Sequence, residues 1–154
     1  MRKFLILSMI AAWGFDAGDL WAHSHKQKGL EIVHPRCFAT SDPSAKSTAV
    51  YMLIKNRTKK RDRLIGATSA SVQKIELREP AHPAPGAGTR IVAGVAMKAG
   101  QDVALKRTGP HLVLTGLAKP LAPYDSFLMT LTFERAGKIE IEVVVEEGPE
   151  PSTQ

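Results

Sequence analysis

Cysteine is almost missing: Cys37 is the only one in 154 residues, so a single chain can build neither an internal disulfide nor a multi-cysteine zinc or iron–sulfur site. Any metal must be held mainly by other side chains. No stretch has the 3.6-residue apolar period of a long amphipathic helix, and no internal repeat is visible. A Gly-rich phosphate loop between a strand and a helix, GxSxG, HExxH and CxxC are also lacking, which leaves the familiar hydrolases unsupported. At this length there is room for one domain plus extras. The 44% hydrophobic and 23% charged residues are ordinary globular usage, and a formal charge of +6, from 21 Lys+Arg against 15 Asp+Glu, favours anionic surfaces. That surplus does not by itself imply nucleic acid.

The chain opens with Arg2-Lys3, an apolar run from Phe4 to Phe15 and a weaker stretch ending in Trp21-Ala22, the pattern of a secretory signal. The run is shorter than the about 20 residues that cross a bilayer, and Asp16 and Asp19 close it off. Cleavage after Ala22 is expected, giving an exported, periplasmic mature protein without a membrane span. Residues 23–146 are expected as one β-domain and 147–154 as a flexible tail.

From Gly29 onward the dominant period is two, with short apolar runs separated by Gly, Pro, Asn, Asp and Ser. Phe127, Met129, Leu131 and Phe133 share one face; Ala136-Gly137 turns the chain; Ile139, Ile141, Val143 and Val145 follow opposite Glu140 and Glu142. This is a hairpin with one buried face. Further strands are expected over Leu30–Val33, Thr48–Lys55, Leu64–Ser69, Val72–Arg78, Ile91–Met97, Asp102–Arg107 and His111–Thr115. About nine strands of this kind predict an all-β, antiparallel Greek-key sandwich or barrel. Pro80–Gly88, with three prolines, is expected as an exposed loop.

Several phrases, in order along almost all of the expected mature chain, resemble the PCu(A)C family of periplasmic copper chaperones. They include Gly29-Leu-Glu-Ile-Val-His-Pro35, Ala49-Val-Tyr-Met-Leu-Ile-Lys-Asn56, Gly94-Val-Ala-Met-Lys-Ala-Gly100, Gly109-Pro-His111 and Leu114-Thr-Gly-Leu117. The resemblance implies a cupredoxin-like β-sandwich, in agreement with the independent period-two reading. It also implies a non-enzymatic role: delivery of copper to cytochrome oxidase, with that enzyme's copper-site subunit or another copper carrier as partner.

The family's Cu(I) site, as the resemblance implies it, takes a His on one strand, a Met on a later segment and a His-x-Met pair on another; soft thioether sulfur and imidazole suit Cu(I). Here Arg78 stands where the first His would, and an arginine cannot be deprotonated to bind a metal. The isolated Met falls near Thr89-Arg90. His111 remains, but Val113 replaces its partner. The site is therefore expected to be degenerate, with copper as Cu(I) or Cu(II) held by His111, by His82 in the loop, or by His23 and His25 at the new amino end. With Ala22 removed, the α-amine, two peptide nitrogens and the His25 imidazole would form the square of nitrogens that suits Cu(II) or Ni(II). Met52, Met97 and Met129 fit core positions better than ligand positions. His34 is expected as a hydrogen-bonded structural histidine, and Cys37 as a small buried side chain.

The basic run Lys55, Arg57, Lys59, Lys60, Arg61 and Arg63 surrounds Asn56 at a predicted turn. It lacks interleaved aromatics, so nucleic acid is not expected. It suggests the alternative of a metal-free β-sandwich interaction module that uses this basic hairpin face.

Overall fold

Alternating apolar positions turn into strands throughout. The computed structural model describes residues 24–40, 44, 46–83, 86 and 88–148. The expected signal segment 1–22, His23 and residues 149–154 lie outside the described residues. Eleven strands, and no helix among the described residues, follow in order: β1 (Ser24–Gln27), β2 (Leu30–Phe38), β3 (Ser47–Asn56), β4 (Asp62–Thr68), β5 (Val72–Pro80), β6 (Thr89–Ile91), β7 (Val95–Met97), β8 (Asp102–Leu105), β9 (His111–Leu117), β10 (Ser126–Phe133) and β11 (Gly137–Glu146).

They form one hydrogen-bonded path, β6-β5-β9-β3-β2-β11-β10-β4-β7, with β1 added to β2 and β8 to β3. All pairings are antiparallel except β11 with β2, which run parallel. β3 belongs to both layers. Its first half, Ser47–Val50, pairs with β9, whereas Met52–Lys55 pairs with β8. The core lies between the layers and is closed by the expected hairpin, in which Phe127 faces Val143, Met129 faces Ile141 and Leu131 faces Ile139. Each of these six side chains is buried.

The expected strand Ile91–Met97 is two strands. β6 pairs with β5 in one layer and β7 with β4 in the other, so the chain crosses between layers at Val92–Gly94. Gly94 permits this crossing: a Cβ there would come within 2.8 Å of the Leu64 carbonyl oxygen and would strike the Arg63 side chain. The expected loop begins as Pro80 ends β5 and closes as the Ala81 amide donates to the Gly88 carbonyl. No helix among the described residues is long and apolar enough to cross a membrane.

Candidate metal centre

The register of β5 against β9 sets Arg78 directly opposite His111 and Glu76 opposite Val113. Side chains two apart on a strand share a face, so these four positions form one patch on the sheet. On the far side of β9, Val50 pairs with Leu112, which brings Tyr51 alongside His111; their ring centroids are 6.1 Å apart at 52°. Phe38 stands behind Tyr51 at 6.3 Å.

His111 is buried, only 6% exposed. The turn before it is tied twice, by the Lys106 amide donating to the Pro110 carbonyl and the Gly109 amide to the Lys106 carbonyl. This tight turn presents the Gly109 carbonyl to the His111 Nδ1 at 2.9 Å. A carbonyl oxygen can only accept, so Nδ1 carries the proton, and in the neutral ring Nε2 keeps its lone pair. A backbone acceptor on one ring nitrogen is the arrangement that orients a metal-binding histidine through the other.

The neighbouring positions are taken by a cation and its counter-ion. Arg78 donates from Nε and Nη2 to Glu76 Oε2, at 3.0 and 2.7 Å, and from Nη1 to the Thr89 hydroxyl at 3.3 Å. Lys74 pairs with the other Glu76 oxygen at 2.5 Å. Hydrogen bonds first from Lys74 and then from Arg78 hold the Glu76 carboxyl below its ordinary range. Thr89 and Arg90, where the resemblance would place a methionine, contribute instead to Arg78 and to an ion pair between Arg90 and Glu79.

The other candidate histidines do not converge on His111. His82 is exposed in the turn beyond Pro80. His25 lies in β1 opposite Ile32, with β2 and β3 between it and β9, and its Nε2 accepts from the Glu142 amide at 3.2 Å. A square of amino-terminal nitrogens would require stripping Ser24 and His25 from β2 and breaking that bond. His23 lies outside the described residues. Among those described, no group of three or more His, Cys, Asp or Glu side chains could hold a metal ion.

Met52, Met97 and Met129 are buried, as expected. Cys37 is fully buried beside β11, and burial with the Glu146 charge pushes its thiol up to about 12. His34 corrects the expectation of a structural histidine at a strand end. It sits inside β2 at a bulge, exposed, with a φ of 49°. It lines a groove of about 340 Å³ that Tyr51 and Met52 also line. Arg36, Lys106 and Arg107 line the same groove, a cationic setting that disfavours a metal ion. The pairing of Glu76 with Arg78 was not foreseen, although their i, i+2 spacing in a period-two segment was its available signal.

With this geometry in view, the chain proves to belong to the LpqE-like family ("Putative lipoprotein LpqE-like"), whose model matches residues 30–145. Among solved structures it is similar to the "Copper-bound PCuAC domain from PmoF2", at 26% identity and a TM-score of 0.69 over 82% of this chain and 99% of that one. It is also similar to "CuI-DR1885" from Deinococcus radiodurans, at 25% identity and 0.60 over 75% and 78%. The apo PCuAC domain of PmoF1, 23% identical with a TM-score of 0.71 over 82% and 100%, shares the fold. The fold is therefore that of the PCuAC copper-chaperone domains. A comparison with curated protein sequences gives no match.

Proposed function

We propose that this protein is an exported, non-enzymatic copper-binding protein of the chaperone type, working with a reduced ligand set around His111. Its relatives include one PCuAC domain described as copper-bound and one described as holding CuI. The observation that carries the reading is the buried His111 with its Nδ1 committed to Gly109, leaving Nε2 to bind. Copper would pass to another carrier or to the copper-site subunit of cytochrome oxidase.

Arg78 and Val113 in place of soft ligands favour weak retention, because one imidazole beside a guanidinium holds Cu(I) poorly. The experiment is copper titration of the exported protein under reducing and oxidising conditions, with its amino terminus read by mass spectrometry. Loss of at least about tenfold in Cu(I) affinity in His111→Ala is expected; unchanged stoichiometry and affinity would remove the assignment. Binding of Cu(II) alone, abolished by one extra residue before His23, would move the metal to the amino end. Absence of tight binding in both states would favour the second reading, a metal-free interaction module, which the Arg78–Glu76 pair across from His111 supports.

A further inference from the structure

Four turns that are far apart in sequence meet at one end of the sandwich, and hydrogen bonds hold them there. The fully buried Asn56, at the end of β3, donates from Nδ2 to the carbonyls of Lys60 and Lys98, at 2.8 and 3.0 Å. Its Oδ1 accepts from the Thr58 amide and hydroxyl, at 3.0 and 2.7 Å. The Arg57 amide donates to the Gly29 carbonyl. From the start of β4, the buried Asp62 carboxylate accepts from the amides of Arg63, Arg135 and Ala136 at 2.7–3.0 Å. Lys28 closes the ring by donating to the Ala136 carbonyl at 2.7 Å.

The surface these bonds fix is strongly basic. Lys59, Lys60 and Arg61 are consecutive, exposed and paired with no carboxylate among the described residues. Lys98 projects from the neighbouring turn, Lys28 from another, and Arg135 and Lys138 from the last; all are exposed. Arg57 is neutralised by Asp102 at 3.0 Å. Segments 28–29, 57–62, 98–102 and 134–138 together hold eight basic and three acidic side chains, a net +5 of the chain's +6. Of the three carboxylates, Asp62 is spent on amides, Asp102 is spent on Arg57, and Glu134 is exposed. The remaining 136 residues carry a net charge of only +1, so the excess charge is a pole rather than a haze.

These turns carry no aromatic or large aliphatic side chain. Specific protein interfaces draw most of their energy from buried aromatic and apolar anchors, and this surface has none to offer. A hydrogen-bonded cluster of exposed cations, most of them without a carboxylate partner among the described residues, instead matches a plane of phosphates, to which each basic side chain contributes independently. We propose that this pole docks the protein on an anionic phospholipid bilayer. His111 faces Tyr51 on β3, five residues from Asn56 and therefore about 17 Å from the pole at strand spacing, so docking leaves the His111 patch uncovered. The inference does not depend on whether copper binds.

The test is co-sedimentation of the full chain with phosphatidylcholine vesicles and with vesicles containing phosphatidylglycerol. The expected result is binding to the anionic vesicles alone, weakening as salt rises. Substituting Lys59→Gln, Lys60→Gln and Arg61→Gln should lower the partition coefficient by roughly 100-fold, while Lys106→Gln, Arg107→Gln and Lys119→Gln, which remove the same charge elsewhere, should lower it far less. Equal loss in both triple variants would overturn the pole in favour of net charge. Binding no stronger to anionic than to neutral vesicles would overturn the proposal, and capture on immobilised polyglutamate in that case would point to an acidic protein instead. Urea unfolding of each variant excludes loss of the fold as the cause.

Discussion

His111 and Arg78 stand opposite each other across one ladder and have opposite chemistries: one an imidazole whose Nδ1 is committed to the Gly109 carbonyl, so that Nε2 keeps a lone pair, the other a permanent cation that no accessible pH will neutralise. Burial decides what each remaining candidate side chain can do. Cys37, fully buried with its thiol pushed up to about 12, is neither a nucleophile nor a soft ligand near neutrality, since only the thiolate serves in either role. Two outcomes are expected. Native protein should resist iodoacetamide at pH 8 and react once unfolded in urea. Because the folded state keeps the proton that the unfolded thiol releases at its lower pKa, stability attributable to this group is intact below the unfolded value and falls above it. The slope is about 1.4 kcal/mol per pH unit up to the folded value, measurable by urea unfolding at alkaline pH and absent in Cys37→Ala. Faster alkylation of the native state would show that the strand pair Cys37/Val145 opens.

At the level of elements, Asp62 ties the start of β4 to the β10–β11 turn, beside the ladder of β4 with β10 and the Glu134 amide on the Arg63 carbonyl. Its two oxygens satisfy amides that β-ladders leave free. Asp62→Ala strands the Arg135 and Ala136 amides in a partly buried turn, so a loss of about 3 kcal/mol is expected in urea unfolding, with Asp62→Asn retaining part of it. An unaltered midpoint would mean that water replaces the carboxylate. Most strands were legible beforehand because their faces alternate cleanly; the hairpin from Phe127 to Val145 forms where it was expected, with its apolar positions on one buried face. Two features were not. Ile91–Met97 reads as one run but serves two layers, because period two records burial and not which neighbour supplies the partner strand. The addition of β1 to β2 was also hidden, since Ser24–Gln27 has no apolar alternation and is held by backbone pairing.

For the whole molecule, the strand order brings Arg78, Glu76, His111 and Val113 onto one patch, where the PCuAC relatives' fold is shared but soft side chains are scarce. If that patch remains a copper site in outline, Arg78→His with Val113→Met should raise Cu(I) affinity by about 100-fold or more over the natural chain, read by competition with a chromophoric Cu(I) chelator. His111→Ala in that background should erase the gain. Failure of the double variant to gain affinity would show that the Tyr51 side of the patch, rather than the missing ligands, closes it. Removing Arg78 also frees Glu76 from one of its two cationic partners, so its carboxyl should titrate higher, though still below the ordinary range because Lys74 remains.

The sequence by itself determined the class of fold, because alternating side chains with Gly and Pro breaks leave a chain without helical periodicity no other way to bury its apolar face. It also determined which ligand types are available: one cysteine, five histidines and five methionines. Only the tertiary structure decided which of these meet. Three methionines went to the core, His25 to an amide on β11, and His111 to a partner turn that fixes its tautomer. The same packing gathered four turns into one basic pole. Charge and ligand geometry depend on distances across strands, and those distances are set by register and by where the sheet folds over, neither of which is written in any local run of residues.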